Sequence, residues 1–93
     1  MIGVLATLKI RPETNTTFEE VANRMTVAVK ENEPGNVYYN FYKEDETTYI
    51  VMERYNSQAD LDAHGKTEHM KTIGNEMGKY MAGPPEIKIL QGL

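Results

Sequence analysis

The sequence predicts an α+β fold in which helices cover one face of a four-stranded antiparallel sheet. Four segments have the alternation, or the β-branched and aromatic content, that is typical of strands, and two segments have apolar residues at helical spacing. Their order along the 93 residues is β-α-β-β-α-β. Both faces of the strands are rich in apolar residues, which predicts a homodimer. We place a single domain at residues 1–93.

The first strand is predicted at residues 2–11, where apolar residues alternate with other types. One face of this strand carries Ile2, Val4, Ala6, Leu8 and Ile10. Pro12 then ends the strand, because proline cannot donate to a ladder of hydrogen bonds. The pattern favours a strand over a signal peptide for the N-terminal segment.

The first helix is predicted at residues 17–32. Thr17 with Glu20, or Thr16 with Glu19, has the spacing of a capping box. Apolar residues then recur at helical spacing, at Phe18, Val21, Ala22, Met25, Ala28 and Val29. The Pro-Gly pair at 34–35 follows the end of this helix.

Two further strands are predicted at residues 36–43 and 48–55, which are dense in β-branched and aromatic residues. The acidic segment 44–46 lies between them as a turn, so the pair is predicted to form a β-hairpin.

The second helical region is predicted to start at Ser57, to break near Gly65 and to start again at Thr67. An apolar stripe follows at helical spacing, consisting of Met70, Ile73, Met77, Tyr80 and Met81. Gly83 takes the position of the glycine that commonly follows a helix end. The last strand is predicted at residues 86–91.

This order of elements is the ferredoxin-like pattern, in which both helices cover the same face of the sheet. The other face of a monomeric sheet is expected to be polar. In the third strand, however, one face carries Tyr49, Val51, Glu53 and Tyr55, and the other carries Ile50, Met52 and Arg54. A second sheet from another copy of the chain is the natural cover for the free face. The alternative is that half-exposed tyrosines tolerate water.

The composition excludes several classes of function. The net charge is −4 and the basic residues are scattered, so nucleic acid is not expected as a partner. Cysteine is absent, which excludes disulfides, thiolate nucleophiles and cysteine-based metal sites and fits a cytoplasmic location. No apolar run has the length of a membrane span, so no membrane partner is expected.

The sequence resembles the antibiotic biosynthesis monooxygenase family, including its quinol monooxygenase-like members. The resemblance is carried, in this order, by Glu33-Pro34-Gly35 before Tyr38-Tyr39-Asn40-Phe41-Tyr42, by Glu53-Arg54-Tyr55 followed by Ser57, Leu61 and His64, by Glu68-His69, and by Ala82-Gly83-Pro84-Pro85-Glu86. It implies a ferredoxin-like domain whose dimer forms a shared α/β-barrel. It also implies oxidation of a quinol-like or polycyclic aromatic small molecule with O2, without metal, flavin or haem.

Such chemistry requires a base, polar groups that hold an oxyanion, and a dry apolar pocket. His64 is the leading candidate for the base, because a neutral imidazole accepts a proton near neutral pH and because His64 lies where the helix breaks at Gly65. Its alternative role is that of a surface or capping residue. His69, in the first turn of the next helix, is the weaker candidate and is assigned to substrate binding.

Two polar residues interrupt the apolar strands and are the other catalytic candidates. Glu53 is costly to bury unless it is paired, so it is predicted to act as a base, to orient His64, or to form an ion pair that stabilises the fold. Asn40 lies in mid-strand, where asparagine is disfavoured, and its amide can donate either to a substrate oxygen or to a neighbouring strand or subunit.

The remaining candidates bind the substrate. Tyr39, Tyr49 and Tyr55 offer rings that stack on an aromatic ligand and hydroxyls that anchor it, although most of the tyrosines are expected in the core or the interface. Met70 is expected to pack around a flat ligand. We expect a cavity between the sheet and the second helical region, bordered by His64.

Three alternative functions remain open. Haem-degrading relatives of the family present a histidine to iron from the second helix, and this chain has Gly74 at the corresponding position. An isomerase of a small phosphorylated signal metabolite requires an anion site, and none is evident near Lys66 and Lys71. A non-catalytic dimeric protein that binds a small molecule would keep the aromatic pocket and need no base. No metal site is expected, because the two histidines lack the spacing of known motifs.

Overall fold

The computed structural model describes residues 1–93 and contains the four predicted strands with three helices. The elements are β1 (Ile2–Lys9), α1 (Asn15–Asn32), β2 (Asn36–Asp45), β3 (Thr48–Tyr55), α2 (Gln58–Gly65), α3 (Glu68–Gly78) and β4 (Glu86–Gln91). The strands form one antiparallel sheet in the order β2-β3-β1-β4. The predicted α+β, ferredoxin-like architecture is confirmed.

Helix α1 begins earlier than predicted. It starts at Asn15, and the amide of Phe18 donates to the carbonyl of Thr14 at 2.9 Å. The Thr14 hydroxyl donates instead to the carbonyl of Arg11 at 2.7 Å and does not cap the helix. The predicted capping boxes are therefore wrong, since their threonines lie inside the first turn.

Helices α2 and α3 are separated at the predicted break, and each has a side-chain cap. The Ser57 hydroxyl accepts from the amide of Asp60, and the Thr67 hydroxyl accepts from the amide of Met70. The Thr67 hydroxyl also donates to the carbonyl of His64 at 2.9 Å. Thr67 thus ties the end of α2 to the start of α3 and orients the turn that carries His64.

Helix α3 ends at Gly78, and the predicted end at Gly83 is wrong. The chain after the helix hydrogen-bonds to the end of β1 and to the segment that follows it. The amide of Arg11 donates to the carbonyl of Tyr80, and the amide of Ala82 donates to the carbonyl of Lys9, both at 2.8 Å. These bonds take the backbone groups that a longer helix would use, so the sheet-side pairing overrides the helical periodicity.

The core lies between the sheet and α1. Alternate residues of β1 are buried on this side, and they pack with a cluster from α1 and the hairpin consisting of Phe18, Ala22, Met25, Val29, Tyr39, Tyr49 and Val51. The ring of Phe18 packs against Tyr49 at a centroid distance of 4.7 Å. The period of two in the strands and the period of 3.6 in α1 therefore converge on one apolar layer.

The helices leave part of the sheet uncovered. On the opposite face, which we call the far face, the apolar residues are Leu5, Tyr38, Tyr42, Ile50, Met52 and Leu90, and several of them are half exposed. On the helix side, Ile87 and Ile89 of β4 are 57% and 58% exposed, because no helix packs over this edge strand. No helix of the structure combines the length and the hydrophobicity needed to cross a lipid bilayer.

The connection from α1 to β2 passes very close to α2. A Cβ atom added to Gly35 would lie 2.2 Å from the Asp60 carboxyl and 2.7 Å from its Cβ atom. The Gly35 carbonyl accepts from the amide of Asn56 at 2.9 Å. The absence of a side chain at Gly35 therefore allows the end of α1 to approach α2.

We predict that Gly35→Ala destabilises the fold by about 1–3 kcal/mol, the usual cost of overpacking. The added methyl group would push Asp60 and the start of α2 away from α1. Chemical denaturation followed by circular dichroism measures the change. Gly83→Ala is the matched control, because a Cβ atom there meets nothing within 4 Å. Equal stabilities of the two variants would contradict the prediction.

Candidate active site

A cavity of about 500 Å³ lies between the sheet and the helices α2 and α3. Its wall is largely apolar. All four strands contribute side chains on the sheet side, and four methionines lie on the helix side, Met25, Met70, Met77 and Met81. The exposed residues Ile87 and Ile89 form its border at β4. The predicted cavity bordered by His64 is present.

Three polar side chains meet beside this cavity. Glu33 caps the end of α1, His64 is in the last turn of α2, and His69 is in the first turn of α3. Nδ1 of His64 lies 2.9 Å from both carboxylate oxygens of Glu33, and Nε2 of His69 lies 2.5 Å from one of them. One carboxylate therefore joins the ends of three helices.

This arrangement determines the proton positions on His64. A carboxylate only accepts hydrogen bonds, so the ring nitrogens that face Glu33 are the ones that carry hydrogen. In neutral His64 the hydrogen is on Nδ1, and Nε2 keeps a lone pair. Nε2 lies 3.9 Å from Oε1 of Glu53. His64, which lines the cavity, thus has one nitrogen bound to the Glu33 carboxylate and a second nitrogen with a free lone pair.

Glu53 is a buried carboxyl group with one strong partner. The Tyr55 hydroxyl donates to its Oε1 at 2.7 Å. Burial raises the pKa of Glu53, and the charge of Glu33 adds to this increase, whereas the Tyr55 hydrogen bond and His64 oppose it. Burial also raises the pKa of Tyr39 and of Tyr55, so both phenols stay protonated at neutral pH.

The rings of Tyr39 and Tyr55 pack next to the imidazole of His64. Its ring centroid lies 5.7 Å from that of Tyr39 and 5.4 Å from that of Tyr55. Tyr39 lines the cavity, as Met70 does. Tyr55 is fully buried behind the wall and acts on the cavity only through Glu53 and His64.

The sequence matches the antibiotic biosynthesis monooxygenase family over residues 1–75. The chain belongs to this family. No curated protein matches the chain in sequence. The structure is similar to that of a candidate antibiotic biosynthesis monooxygenase from Caulobacter crescentus, with 41% identity, a TM-score of 0.93, and coverage of 99% of this chain and 89% of the other.

Two further solved structures have the same fold. A candidate antibiotic biosynthesis monooxygenase from Nitrosomonas europaea is 27% identical, with a TM-score of 0.87 and coverage of 100% and 99%. A Bacteroides thetaiotaomicron protein of unknown function, described as a possible oxidoreductase, is 15% identical, with a TM-score of 0.85 and coverage of 96% and 94%. The first two carry the family name, and the third supports the fold alone.

Two of the residues predicted from the sequence lie elsewhere in this monooxygenase-family chain. Asn40 pairs with Met52 on the far face of the sheet and is exposed. The Tyr49 hydroxyl donates to the carboxylate of Glu19 and accepts from Asn15, at the opposite end of α1. Neither side chain lines the cavity of its own chain, so the fold does not bring these two residues together with His64.

Glu33 is the site residue that was missed from the sequence. It lies in the Glu33-Pro34-Gly35 segment that carries the family resemblance, but the local pattern of that segment indicates only the end of a helix. Its partners lie 31 and 36 positions later in the chain. The feature of the sequence that could have identified Glu33 is its position directly before Pro34, within a segment that carries the resemblance to a family of small-molecule enzymes.

Gly74 also lines the cavity, and a Cβ atom added there meets nothing within 4 Å. The position at which haem-degrading relatives present a histidine therefore leaves empty space in this chain. The volume that a side chain would occupy is part of the cavity.

We predict that Glu53→Gln changes how stability depends on pH. The folded protein holds the Glu53 proton more tightly than the unfolded chain, whose carboxyl has a pKa of about 4.5. Stability of the wild type is therefore lost as pH rises from that value through the folded pKa, and glutamine removes this loss. We expect the stability of the variant relative to the wild type to increase as the pH rises from the unfolded pKa of about 4.5 through neutral pH.

Thermal unfolding followed by circular dichroism across this pH range measures the difference. Glu31→Gln, at an exposed glutamate of α1, is the matched control. A difference between Glu53→Gln and the wild type that stays constant, or that shrinks with rising pH, would show that burial does not raise the pKa of Glu53.

Proposed function

We propose that this protein is a monooxygenase that oxidises a quinol-like or polycyclic aromatic small molecule with O2 and requires no cofactor. The observation that supports this most directly is the apolar cavity of about 500 Å³ with one oriented histidine in its wall. This volume lies within the range of about 300–1,000 Å³ that small-molecule sites have. Membership of the monooxygenase family is consistent with the same chemistry.

The proposed reaction begins with proton transfer from a substrate hydroxyl to Nε2 of His64. Glu33 stabilises the imidazolium that forms, through its contact with Nδ1. The substrate anion then donates electrons to O2. One oxygen atom is added to the ring, the other leaves as water, and the quinol supplies both reducing electrons by becoming a hydroxylated quinone. The protein therefore supplies a base, orientation and a dry environment.

The other residues of the site have supporting roles in this proposal. Tyr39 and Met70 contact the flat face of the substrate. His69 shares the Glu33 carboxylate with His64 and holds it in place. Glu53, held by Tyr55, lies beside Nε2 of His64 and is the acidic neighbour of that nitrogen once it carries the substrate proton.

The cavity favours this proposal over a phosphorylated substrate. Its charged lining residues are the acidic Glu53 and Asp62, and neither lysine nor arginine lines it. Lys66 and Lys71, the cations considered from the sequence, are exposed and lie outside the wall. A phosphate group would therefore find acidic neighbours and no counter-charge in this cavity.

Oxygen uptake by the purified protein, in the presence of a chelator and a panel of hydroquinones and anthrones, tests the proposal. We expect turnover by the wild type and a decrease of about 10²–10⁴-fold in His64→Ala, the usual contribution of a general base. Binding of the substrate by His64→Ala should persist. Glu31→Gln is the control with unchanged turnover.

The alternatives give different outcomes in the same assay. Binding of the aromatic compounds without oxygen uptake would support a non-catalytic binding protein. Absence of both binding and uptake across the panel would overturn the oxygenase proposal and the aromatic substrate class with it.

We also propose that the protein is a homodimer in which two far faces pack together and form the shared α/β-barrel. The exposed apolar residues of this face include Tyr42 and Met52, which are 50% and 41% exposed. They lie beside Ile50 and Leu5 across the middle of the sheet. A second copy offers the same apolar surface and so covers it symmetrically.

Met52→Lys tests the dimer, because it places a charge in the centre of the proposed interface. We expect this variant to be monomeric, or to dissociate at a concentration at least about tenfold higher than the wild type. Light scattering coupled to size-exclusion chromatography measures the mass. Val27→Lys is the matched control, since Val27 is a similarly exposed apolar residue on α1. A monomeric wild type, or identical behaviour of the two variants, would contradict the proposal.

A further inference from the structure

We propose that Glu33, His64 and His69 bind one divalent transition-metal ion. Nothing in the sequence pattern indicates this site, because its ligands come from the ends of three different helices. The proposal does not depend on the oxygenase activity, and it concerns Nδ1 of His64, whereas the proposed base catalysis takes the substrate proton at Nε2.

The donor atoms are already close to a ligating arrangement. One nitrogen from each histidine and one oxygen of Glu33 all lie within 4.8 Å of one another. Zinc bonds to imidazole nitrogen and carboxylate oxygen are about 2.0–2.2 Å long, which places neighbouring tetrahedral ligands about 3.3–3.5 Å apart. The present separations between Glu33 and the two ring nitrogens are 2.5 and 2.9 Å. Outward movements of less than about 1 Å would therefore admit an ion.

The side chains are held in place before any ion binds. Those of Glu33, His64 and His69 are 7%, 8% and 12% exposed. Thr67 ties the turn between the two histidines through its bond to the His64 carbonyl. A buried set of three ligands with fixed backbones loses little conformational freedom on binding, which favours affinity.

The position of Glu53 also suits the form that His64 would take when it binds a metal ion. An ion at Nδ1 of His64 displaces the proton from that nitrogen, and the neutral ring then carries hydrogen on Nε2. Nε2 lies 3.9 Å from Oε1 of Glu53, and Tyr55 holds that oxygen. A histidine ligand whose second nitrogen faces a fixed carboxylate is the usual arrangement around protein-bound zinc.

The donor set indicates the class of ion. Two imidazoles and one carboxylate suit Zn²⁺, Co²⁺, Ni²⁺ and Fe²⁺, whereas Mg²⁺ and Ca²⁺ prefer sites made of oxygen ligands. Three protein ligands leave a fourth tetrahedral position for water or another small ligand.

Metal binding has a direct consequence if the proposed function holds. The lone pair on Nε2 that accepts the substrate proton is replaced by an N–H group when Nδ1 binds the ion. Base catalysis and metal binding are then mutually exclusive, so Zn²⁺ inhibits turnover. This consequence rests on the proposed oxygenase activity, whereas the metal site itself does not.

Isothermal titration of the full chain with ZnCl₂, after treatment with a chelator, tests the site. We expect one Zn²⁺ per chain, an increase in melting temperature with Zn²⁺ and none with Mg²⁺. Glu33→Gln and His69→Ala should each weaken binding by at least about tenfold. Glu31→Gln, which changes an exposed glutamate on the same helix, should bind as the wild type does.

Folding of the variants is checked by far-UV circular dichroism before titration. If Glu33→Gln does not fold, position 69 in the first turn of α3 still permits the test through His69→Ala and His69→Gln. Absence of binding at up to about 1 mM Zn²⁺, or binding that His69→Ala leaves unchanged, overturns the proposal. Oxygen uptake in chelator is a separate readout, so failure of the metal site and failure of the proposed function are distinguishable.

Discussion

The Glu33 carboxylate is the constraint on which the rest of the site depends. It lies at the point where α1 ends and where α2 and α3 are joined, and it accepts hydrogen bonds from an imidazole on each side. Taking a carboxylate out of water is costly unless its oxygens are satisfied, and here two donors satisfy them. The same contacts fix the ring of His64. The contacts of Glu33 with the two imidazoles therefore both hold the helix ends together and orient His64.

The sheet supplies the second half of the site, where one hydrogen bond between two residues of β3 holds the second buried carboxyl group. Glu53 and Tyr55 are two residues apart on β3, so both side chains point to the helix side, and the tyrosine hydroxyl reaches back to the carboxyl group. The fully buried side-chain nitrogen and oxygen atoms of the structure all have hydrogen-bond partners. A polar network that is fully satisfied in this way keeps its geometry, whereas a half-satisfied network would move toward water.

Much of the fold could be predicted from local pattern, and the failures have identifiable causes. The alternation of β1 and the density of β-branched and aromatic residues in the hairpin predicted the strands. Helix α3 was predicted too long because Tyr80 and Met81 continue its apolar stripe, and the competing bonds to Lys9 and Arg11 come from a segment about 70 positions away. Distant backbone pairing of this kind leaves no trace in the local periodicity.

The candidate site was harder to predict for the same reason. Parity along a strand shows which residues share a face, but it does not show which face the helices cover, and so Asn40 was assigned to the cavity although it lies on the far face. Tyr49 lies on the correct face but at the wrong end of α1. Glu33 became a site residue only through tertiary contacts.

The methionines of the cavity wall occupy apolar positions that the helical spacing predicted, and their chemistry has a consequence for the cavity. Thioethers are flexible and oxidisable, and conversion to the sulfoxide makes such a side chain polar. A cavity lined by four methionines would adapt to ligands of different shape. Oxidation of these side chains by a reactive oxygen species released into the cavity would make its apolar wall polar and less adaptable.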